Sequence, residues 1–308
     1  MKKIKTYDSI MIFGHSSPDG DCYGAQSGLK VFLNEVFPEK KAAVLGSGFT
    51  KAIPVFGGPD KVSDEEISSS LAILVDCSDI ERVEDQRIVE AKEIVKIDHH
   101  LGSEKEGVAT VNVSDTSASS ASQMIGQFIL DNGYSISKEV GERIFMGIVT
   151  DTGRFQYLTG CRGLFEVTAE ILKAGIDFQK IYDFLYEGDE ISTRAKGYIS
   201  CNFSTDGPVA YIVMDRKVLK EMQVEADYAS TMVNCMSSMK EFPIWVSFAE
   251  RENGEIRSEL RSRCYDVQKI ALMFGGGGHA RASGCILHDL KQCRAVVEAL
   301  KGLVKGEK

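Results

Sequence analysis

The amino-terminal half of the chain carries short apolar runs, most of which stop at a polar loop with an acid or an imidazole. Residues 9–14 (SIMIFG) are apolar almost throughout and empty into His15-Ser16-Ser17-Pro18-Asp19-Gly20-Asp21. Residues 41–45 and 71–75 are further strand candidates, the second ending in Asp76-Cys77-Ser78-Asp79. Residues 94–97 (IVKI) end in Asp98-His99-His100, followed by Leu101-Gly102-Ser103. A short, continuous apolar run closed by turn residues is the mark of a strand buried on both faces, as in a parallel α/β sheet. Ligands bind such sheets at the carboxyl ends of the strands, where these acids and imidazoles fall.

Between the runs the apolar period lengthens to that of helices. Residues 22–36 predict a helix whose first turns carry Gly24, Ala25, Ser27 and Gly28. Small residues lower helix propensity, so close packing of this helix on the sheet is the expected reason for them. A short strand is expected at 108–113. The Ser- and Thr-rich piece 114–122 then supplies hydroxyl caps to a helix ending near residue 131. Residues 137–149 predict another helix, which runs into Thr150-Asp151-Thr152-Gly153-Arg154-Phe155. Amphipathic helices follow at 164–173 and 178–186.

The charged Glu187-Gly188-Asp189-Glu190 marks a boundary, giving a first domain over 1–186, a linker over 187–198 and a smaller α/β domain over 199–308. In the latter, strands are expected at 209–214, 244–249, 255–261 and 282–287. Asn253-Gly254 turns the second of these into the third. Helices at 267–274 and 290–304 complete it, and Gly275-Gly276-Gly277-Gly278 forms a turn after the first. The predicted fold is therefore α/β, a parallel-sheet domain followed by a smaller α/β domain, with substrate in the cleft between them.

Composition narrows the partners. The 308 residues are 43% hydrophobic and 26% charged, an ordinary globular mixture, and the formal net charge is −9. An acidic chain lacks the broad cationic surface that long nucleic acid requires, so a short or small anionic substrate is expected instead. The eight cysteines, Cys161 among them, are scattered without a C-x-x-C pair, which excludes a thiolate zinc site of familiar spacing and a disulfide framework. The apolar run after the basic start is too short for a signal peptide core or a membrane span, so a cytoplasmic protein is expected.

The loops then gather into one chemistry. They supply His15, Asp19 and Asp21, then Asp76, then Asp98, His99 and His100, then Asp151. Four of the five histidines (His15, His99, His100 and His279) lie in such loops, whereas His288 has no motif around it. Carboxylates with imidazole and without thiolate suit Mn²⁺ or a similar divalent ion. There are too many of them for one ion, and they fit a two-metal centre that activates water for attack on phosphorus.

With these motifs in place the chain resembles the DHH phosphoesterases. Their first motif, H-x-x-P-D-x-D, matches His15 to Asp21. The isolated acid matches Asp76, the name-giving triplet Asp98-His99-His100, and the last acid Asp151. The resemblance implies that His15, Asp19 and Asp76 hold one Mn²⁺, and that Asp21, Asp76, His99 and Asp151 hold the other, with Asp76 bridging. It further implies that Asp98 orients a ligand histidine and that His100 faces the phosphate being cut.

In the second domain, Gly275, Gly276, Gly277, Gly278 and His279 look like the family's G-G-G-G-H substrate signature. Arg261 and Arg281, with Arg257 and Arg263, add positive charge there, and Arg154 could reach the same anion from the first domain. Within the family the chain is similar to the bifunctional oligoribonucleases and 3′-phosphoadenosine 5′-phosphate phosphatases. That likeness implies a Mn²⁺-dependent hydrolase of short RNA, of linear dinucleotides or of the bisphosphate, without long nucleic acid or membrane as partner; a homodimer is left open. The rival readings are a cyclic dinucleotide phosphodiesterase, a pyrophosphatase or polyphosphatase, and a non-catalytic nucleotide binder. The last would lack metal ligands, and every expected position carries one.

Overall fold

The computed structural model describes residues 1–100, 109–158 and 163–305. Residues 101–103 of the loop after the histidine pair, residue 108 of the expected short strand, and Cys161 lie outside them. The chain divides into two compact units, Met1–Glu187 and Gly188–Lys308.

The first unit carries a five-stranded sheet of β1 (Ser9–Phe13), β2 (Lys41–Val44), β3 (Leu71–Val75), β4 (Glu93–Asp98) and β5 (Val111–Ser114). Its order is β2-β1-β3-β4-β5 and every pairing is parallel. The chain leaves β1 to one side to make β2 and returns to the other side for β3. The strand order therefore reverses at β1 and β3, where such sheets open a crevice at their carboxyl ends. Successive residues serve opposite faces. Ile10, Ile12, Leu71 and Ile73 pack with Leu29, Phe32 and Ile144, whereas Met11, Phe13, Ala72 and Leu74 pack with Ile67, Val83 and Ile88. Burial on both faces is the reason the runs show no polar alternation.

The longer helices of this unit are α1 (Gly20–Val36), α2 (Ala121–Asp131), α3 (Lys138–Asp151), α4 (Leu164–Lys173) and α5 (Phe178–Tyr186). Asp19, Ser120, Ser137 and Asp177 cap four of them through side-chain oxygens that accept backbone N–H groups of the first turn. The expectation that small residues seat α1 on the sheet does not hold for its glycines. A Cβ on Gly24 would lie 2.7 Å from the Arg143 carbonyl oxygen, and one on Gly28 3.0 Å from the Ile144 side chain, so both face α3. Gly147 of α3 answers them, since a Cβ there would fall 1.9 Å from Ser122 Oγ of α2. These glycines bring three helices into near backbone contact above the sheet. That contact carries Asp21, at the start of α1, against the first turn of α2.

The second unit holds a six-stranded mixed sheet of β6 (Ser204–Asp206), β7 (Val209–Met214), β8 (Ile244–Glu250), β9 (Ile256–Ser262), β10 (Gly277–His279) and β11 (Ala282–Leu287). Its order is β10-β11-β9-β8-β7-β6, with β7 and β8 parallel and the other pairs antiparallel. The stretch expected as a linker is helical from Glu190, as part of α6 (Glu190–Asn202). Asp189 caps this helix, and Ala195 and Ile199, one turn apart, are buried with Ile212 and Met214 of the sheet. On the other face, Val296 and Leu300 of the final helix, α7 (Lys291–Lys305), pack on Val246 and Leu260.

Candidate metal centre

Three adjacent parallel strands deliver the polar cluster. His15 follows β1, Asp76 follows β3, and Asp98 closes β4 with His99 and His100 beyond it. Asp76 is the hub. It is 3% exposed, and its two oxygens face different partners. Oδ2 lies 3.6 Å from His15 Nε2, while Oδ1 lies 3.4 Å from His99 Nε2 and 3.5 Å from His100 Nδ1. His99 Nε2 continues the chain of contacts, 3.8 Å from Asp21 Oδ2 and 3.6 Å from Asp151 Oδ2. Asp76 also adopts a left-handed backbone (φ 54°), a conformation that costs about 1–2 kcal/mol for residues with a Cβ and is tolerated best by Asp and Asn. Its N–H donates to the Ile97 carbonyl at 3.0 Å, which fixes the turn as the chain leaves β3. Strain held at a hub of polar contacts is typical of working sites.

Asp21 is held from behind. Its Oδ2 accepts the N–H of Ala121 at 2.7 Å and its Oδ1 that of Ser122 at 2.9 Å, so the amino end of α2 grips both oxygens. Asp19 Oδ1 accepts the N–H groups of Asp21 and Cys22 at 2.9 and 3.1 Å, as the cap of α1. Asp151 sits at the last turn of α3, with a third of its side chain exposed.

Among the described residues, three groups of side chains present donor atoms within 4.8 Å of one another: His15, Cys22 and Asp76; Asp76, His99 and His100; and Asp21, His99 and Asp151. Each could hold a cation. Asp19 and Asp98 stand outside these groups. Asp98, expected to orient a ligand histidine, bonds His100, whose Nδ1 lies 2.8 Å from Asp98 Oδ1. His99 turns its Nε2 to three carboxylates.

The electrostatics of the cluster call for a cation. Burial, then the charge of Asp76, pushes the Asp21 carboxyl up to about 7. Asp151 is pushed well above the carboxylate range, first by burial and then by Asp21, and Asp19 is raised by burial and Asp76. In the opposite direction, burial opposes protonation of His15 and His99, but their contacts with Asp76 prevail and raise them to about 9 and about 10. Asp76 falls to about 2 because His15 and His99 outweigh its own burial. Protons thus stand in for missing positive charge. Among the described residues, the buried Asp76 Oδ1 accepts no hydrogen bond, whereas Asp98 Oδ2 has Lys96 Nζ at 3.7 Å. Buried carboxylate oxygens left without partners are costly unless a cation meets them, so this donor set fits divalent metal.

The second unit presents the glycine run differently from a free loop. Gly277, Gly278 and His279 form β10, paired with β11. A Cβ on Gly276 would meet the Gly284 carbonyl oxygen at 2.1 Å, and one on Gly278 (φ 133°) the Ala282 carbonyl oxygen at 2.6 Å. Close strand packing thus requires two of the four glycines, while Gly275 serves a left-handed turn (φ 73°). Arg257, Glu259 and Arg261 share one face of β9. Glu259 takes Arg257 on one oxygen, at 2.9 Å, and Arg261 on the other, at 3.1 Å. Arg263 donates to the Ser237 and Met239 carbonyls, and Arg281 is exposed. In the first unit, the Arg154 guanidinium lies 4.9 Å over the Tyr186 ring.

Sequence reasoning missed the grip of α2 on Asp21, the partnership of Asp98 with His100 and the approach of Cys22 to His15 and Asp76. The serines at 120 and 122 were the available sign of the first. The other two follow from side-chain directions that spacing does not encode.

A parallel sheet with acids and imidazoles at its switch point, able to hold a cation, is followed by a mixed-sheet unit with a glycine hairpin. Residues 9–148 match the DHH family N-terminal domain and residues 206–306 match the DHHA1 domain, and the chain belongs to the DHH phosphoesterase family. It is similar to a protein of Streptococcus mutans named probable bifunctional oligoribonuclease and PAP phosphatase NrnA, with 31% identity over 99% of this chain and 98% of that one. It is 29% identical to the bifunctional oligoribonuclease and PAP phosphatase NrnA of Bacillus subtilis, over 99% and 97% of the two chains. Among solved structures it resembles an exopolyphosphatase-related protein from Bacteroides fragilis, with a TM-score of 0.89, 27% identity, and 99% and 96% of the chains covered. Among the described residues, no helix is long and apolar enough to cross a membrane.

Proposed function

We propose that this chain is a Mn²⁺-dependent hydrolase of short oligoribonucleotides, linear dinucleotides and 3′-phosphoadenosine 5′-phosphate. The observation that carries this reading is Asp76, buried between His15 on one oxygen and His99 with His100 on the other. A carboxylate so placed suits the bridge between two ions. On this reading His15, Asp19 and Asp76 hold one ion, and Asp21, Asp76, His99 and Asp151 hold the other. When bound, such a pair supplies an activated water and neutralises charge on the phosphate under attack. The amino end of α2 keeps Asp21 aimed. Asp98 fixes the ring of His100, which then contacts the phosphate. Substrate specificity falls to Gly275, Gly276, Gly277, Gly278, His279, Arg261 and Arg281, with Arg154 contributing from the metal-bearing unit. Glu259 keeps Arg261 extended along β9 until an anion competes for it.

The names of the Streptococcus and Bacillus relatives support this substrate class, and the chain's acidic balance favours short substrates. The name of the Bacteroides relative favours polyphosphate as a second reading. A panel with Mn²⁺ separates them, comparing polyphosphate, pyrophosphate, adenosine bisphosphate, cyclic and linear dinucleotides, and RNAs of graded length. The reading requires turnover of linear dinucleotide or bisphosphate far above that of pyrophosphate and polyphosphate. The reverse order overturns it.

A further inference from the structure

Cys22 directly follows Asp21 and has no part in the reading above. Its side chain is fully buried in the first turn of α1, and its Sγ shares a cluster with donor atoms of His15 and Asp76, all within 4.8 Å of one another. Room for the sulfur is specific to this backbone, since a Cβ on Gly14 would lie 2.3 Å from Sγ. Three elements thus converge on one point: the loop after β1, the start of α1 and the end of β3.

We propose that His15, Cys22 and Asp76 form an alternative coordination set that captures a thiophilic divalent cation, Zn²⁺ or Cd²⁺, in place of Mn²⁺. This rests on the reading of His15 and Asp76 as metal ligands. Two features point to it beyond the thiol itself. Asp76 is buried, and its Oδ2 lies 3.6 Å from His15 Nε2, so two of the three donors already face one another beside the sulfur. Gln26 then controls the sulfur. Its Nε2 donates to the Ile12 and Leu45 carbonyls at 3.2 and 3.1 Å, which fixes its Oε1 toward Cys22 Sγ, 4.0 Å away. That oxygen accepts the S–H and so aims the sulfur. A hard ion gains little from sulfur and leaves the thiol protonated. A soft ion forms a strong bond to sulfur: the S–H bond breaks, the proton passes to buffer, and the metal–sulfur bond replaces it. The same pocket therefore offers oxygen and imidazole to manganese, and adds sulfur for zinc or cadmium.

The test uses the full chain, stripped of metal with a chelator and titrated with Cd²⁺ or Mn²⁺. Cd²⁺ is expected to raise the ultraviolet thiolate-to-metal absorption within the first equivalents in wild type and not in Cys22→Ala or Cys22→Ser, while Mn²⁺ raises none. Zn²⁺ should displace bound Mn²⁺, counted by electron paramagnetic resonance, at lower concentration in wild type than in either variant. The difference should be about tenfold or more, since even a partner behind a metal ligand is worth that much. The serine variant keeps the side-chain volume, and circular dichroism checks the fold of both. Thiolate absorption that persists in both variants, or Cd²⁺ binding without it in wild type, overturns the proposal. Failure of both Cd²⁺ and Mn²⁺ to bind removes the metal-centre reading as well, which separates the two failures.

Discussion

Asp98 Oδ1 lies 2.8 Å from His100 Nδ1, while the neighbouring His99 faces Asp21, Asp76 and Asp151. The two histidines of one dipeptide therefore have different attachments. A carboxylate can only accept, so the imidazole donates its Nδ1–H to Asp98, which is 1% exposed and anchored at the end of β4. This bond sets the tautomer and the direction of the ring.

Asp98→Asn should therefore reduce kcat by about 10- to 100-fold, the usual cost of losing a partner that orients a functional histidine. Bound metal should stay near the wild-type count. Metal analysis beside steady-state kinetics checks this, and a variant that loses metal in proportion to activity would make Asp98 part of the metal binding itself.

Asp76→Asn should weaken both ions together, whereas Asp151→Asn, at the exposed edge of the cluster, should damage mainly one. Near-total loss of turnover is expected for Asp76→Asn with the fold intact, because a bridging group serves both halves of a two-metal centre. Metal counting on each folded variant is the check. Equal loss of a single ion in both removes the bridging assignment.

Metal binding should release protons. Without metal, His15 and His99 titrate near 9 and 10 and Asp21 near 7, so at neutral pH the histidines carry protons that a cation must displace. Affinity should then rise with pH up to about those values. All three groups are raised above their unfolded values, so their contribution to metal-free stability is complete at low pH and is lost as pH rises, from 3.8 to about 7 for Asp21 and from 6.5 to about 9 and about 10 for His15 and His99. Calorimetric titration in buffers of different ionisation enthalpy measures the protons. Binding that is independent of buffer and pH contradicts the charge state derived for the cluster.

Arg261→Ala should raise KM for short substrates while leaving the metal content unchanged, at a cost on the order of 2–5 kcal/mol if the guanidinium grips a phosphate directly. Catalytic efficiency in the wild type should peak for RNAs of about two to five nucleotides, since an acidic chain gains little from each further phosphate. The measurement is kcat/KM against RNA length for both proteins. Efficiency that climbs steadily with length points to an extended strand-binding surface instead.

The sheet and the cluster were legible because burial on both faces leaves strands as bare apolar runs, and three of the runs end at residues of the cluster: His15, Asp76 and Asp98. Partners across space were less so. Gly24 and Gly28 announced a close approach but not its object, which is α3 rather than the sheet. The helix Glu190–Asn202 escaped because it buries only Ser192, Ala195 and Ile199, too small and sparse a stripe to read as amphipathic. The glycine run reads as a loop in sequence, yet half of it is strand, fixed by contacts with β11 that lie several residues away.

The central claim is a two-ion centre built around Asp76, and a Mn²⁺ titration of the metal-stripped full chain tests it most directly, with hydrolysis of a linear diribonucleotide followed at each addition. Turnover should be absent without metal, rise only as the second equivalent binds, and fail to appear in Asp76→Asn at any Mn²⁺ concentration that wild type needs. Full turnover by the metal-free chain, or wild-type turnover by Asp76→Asn, would contradict the account.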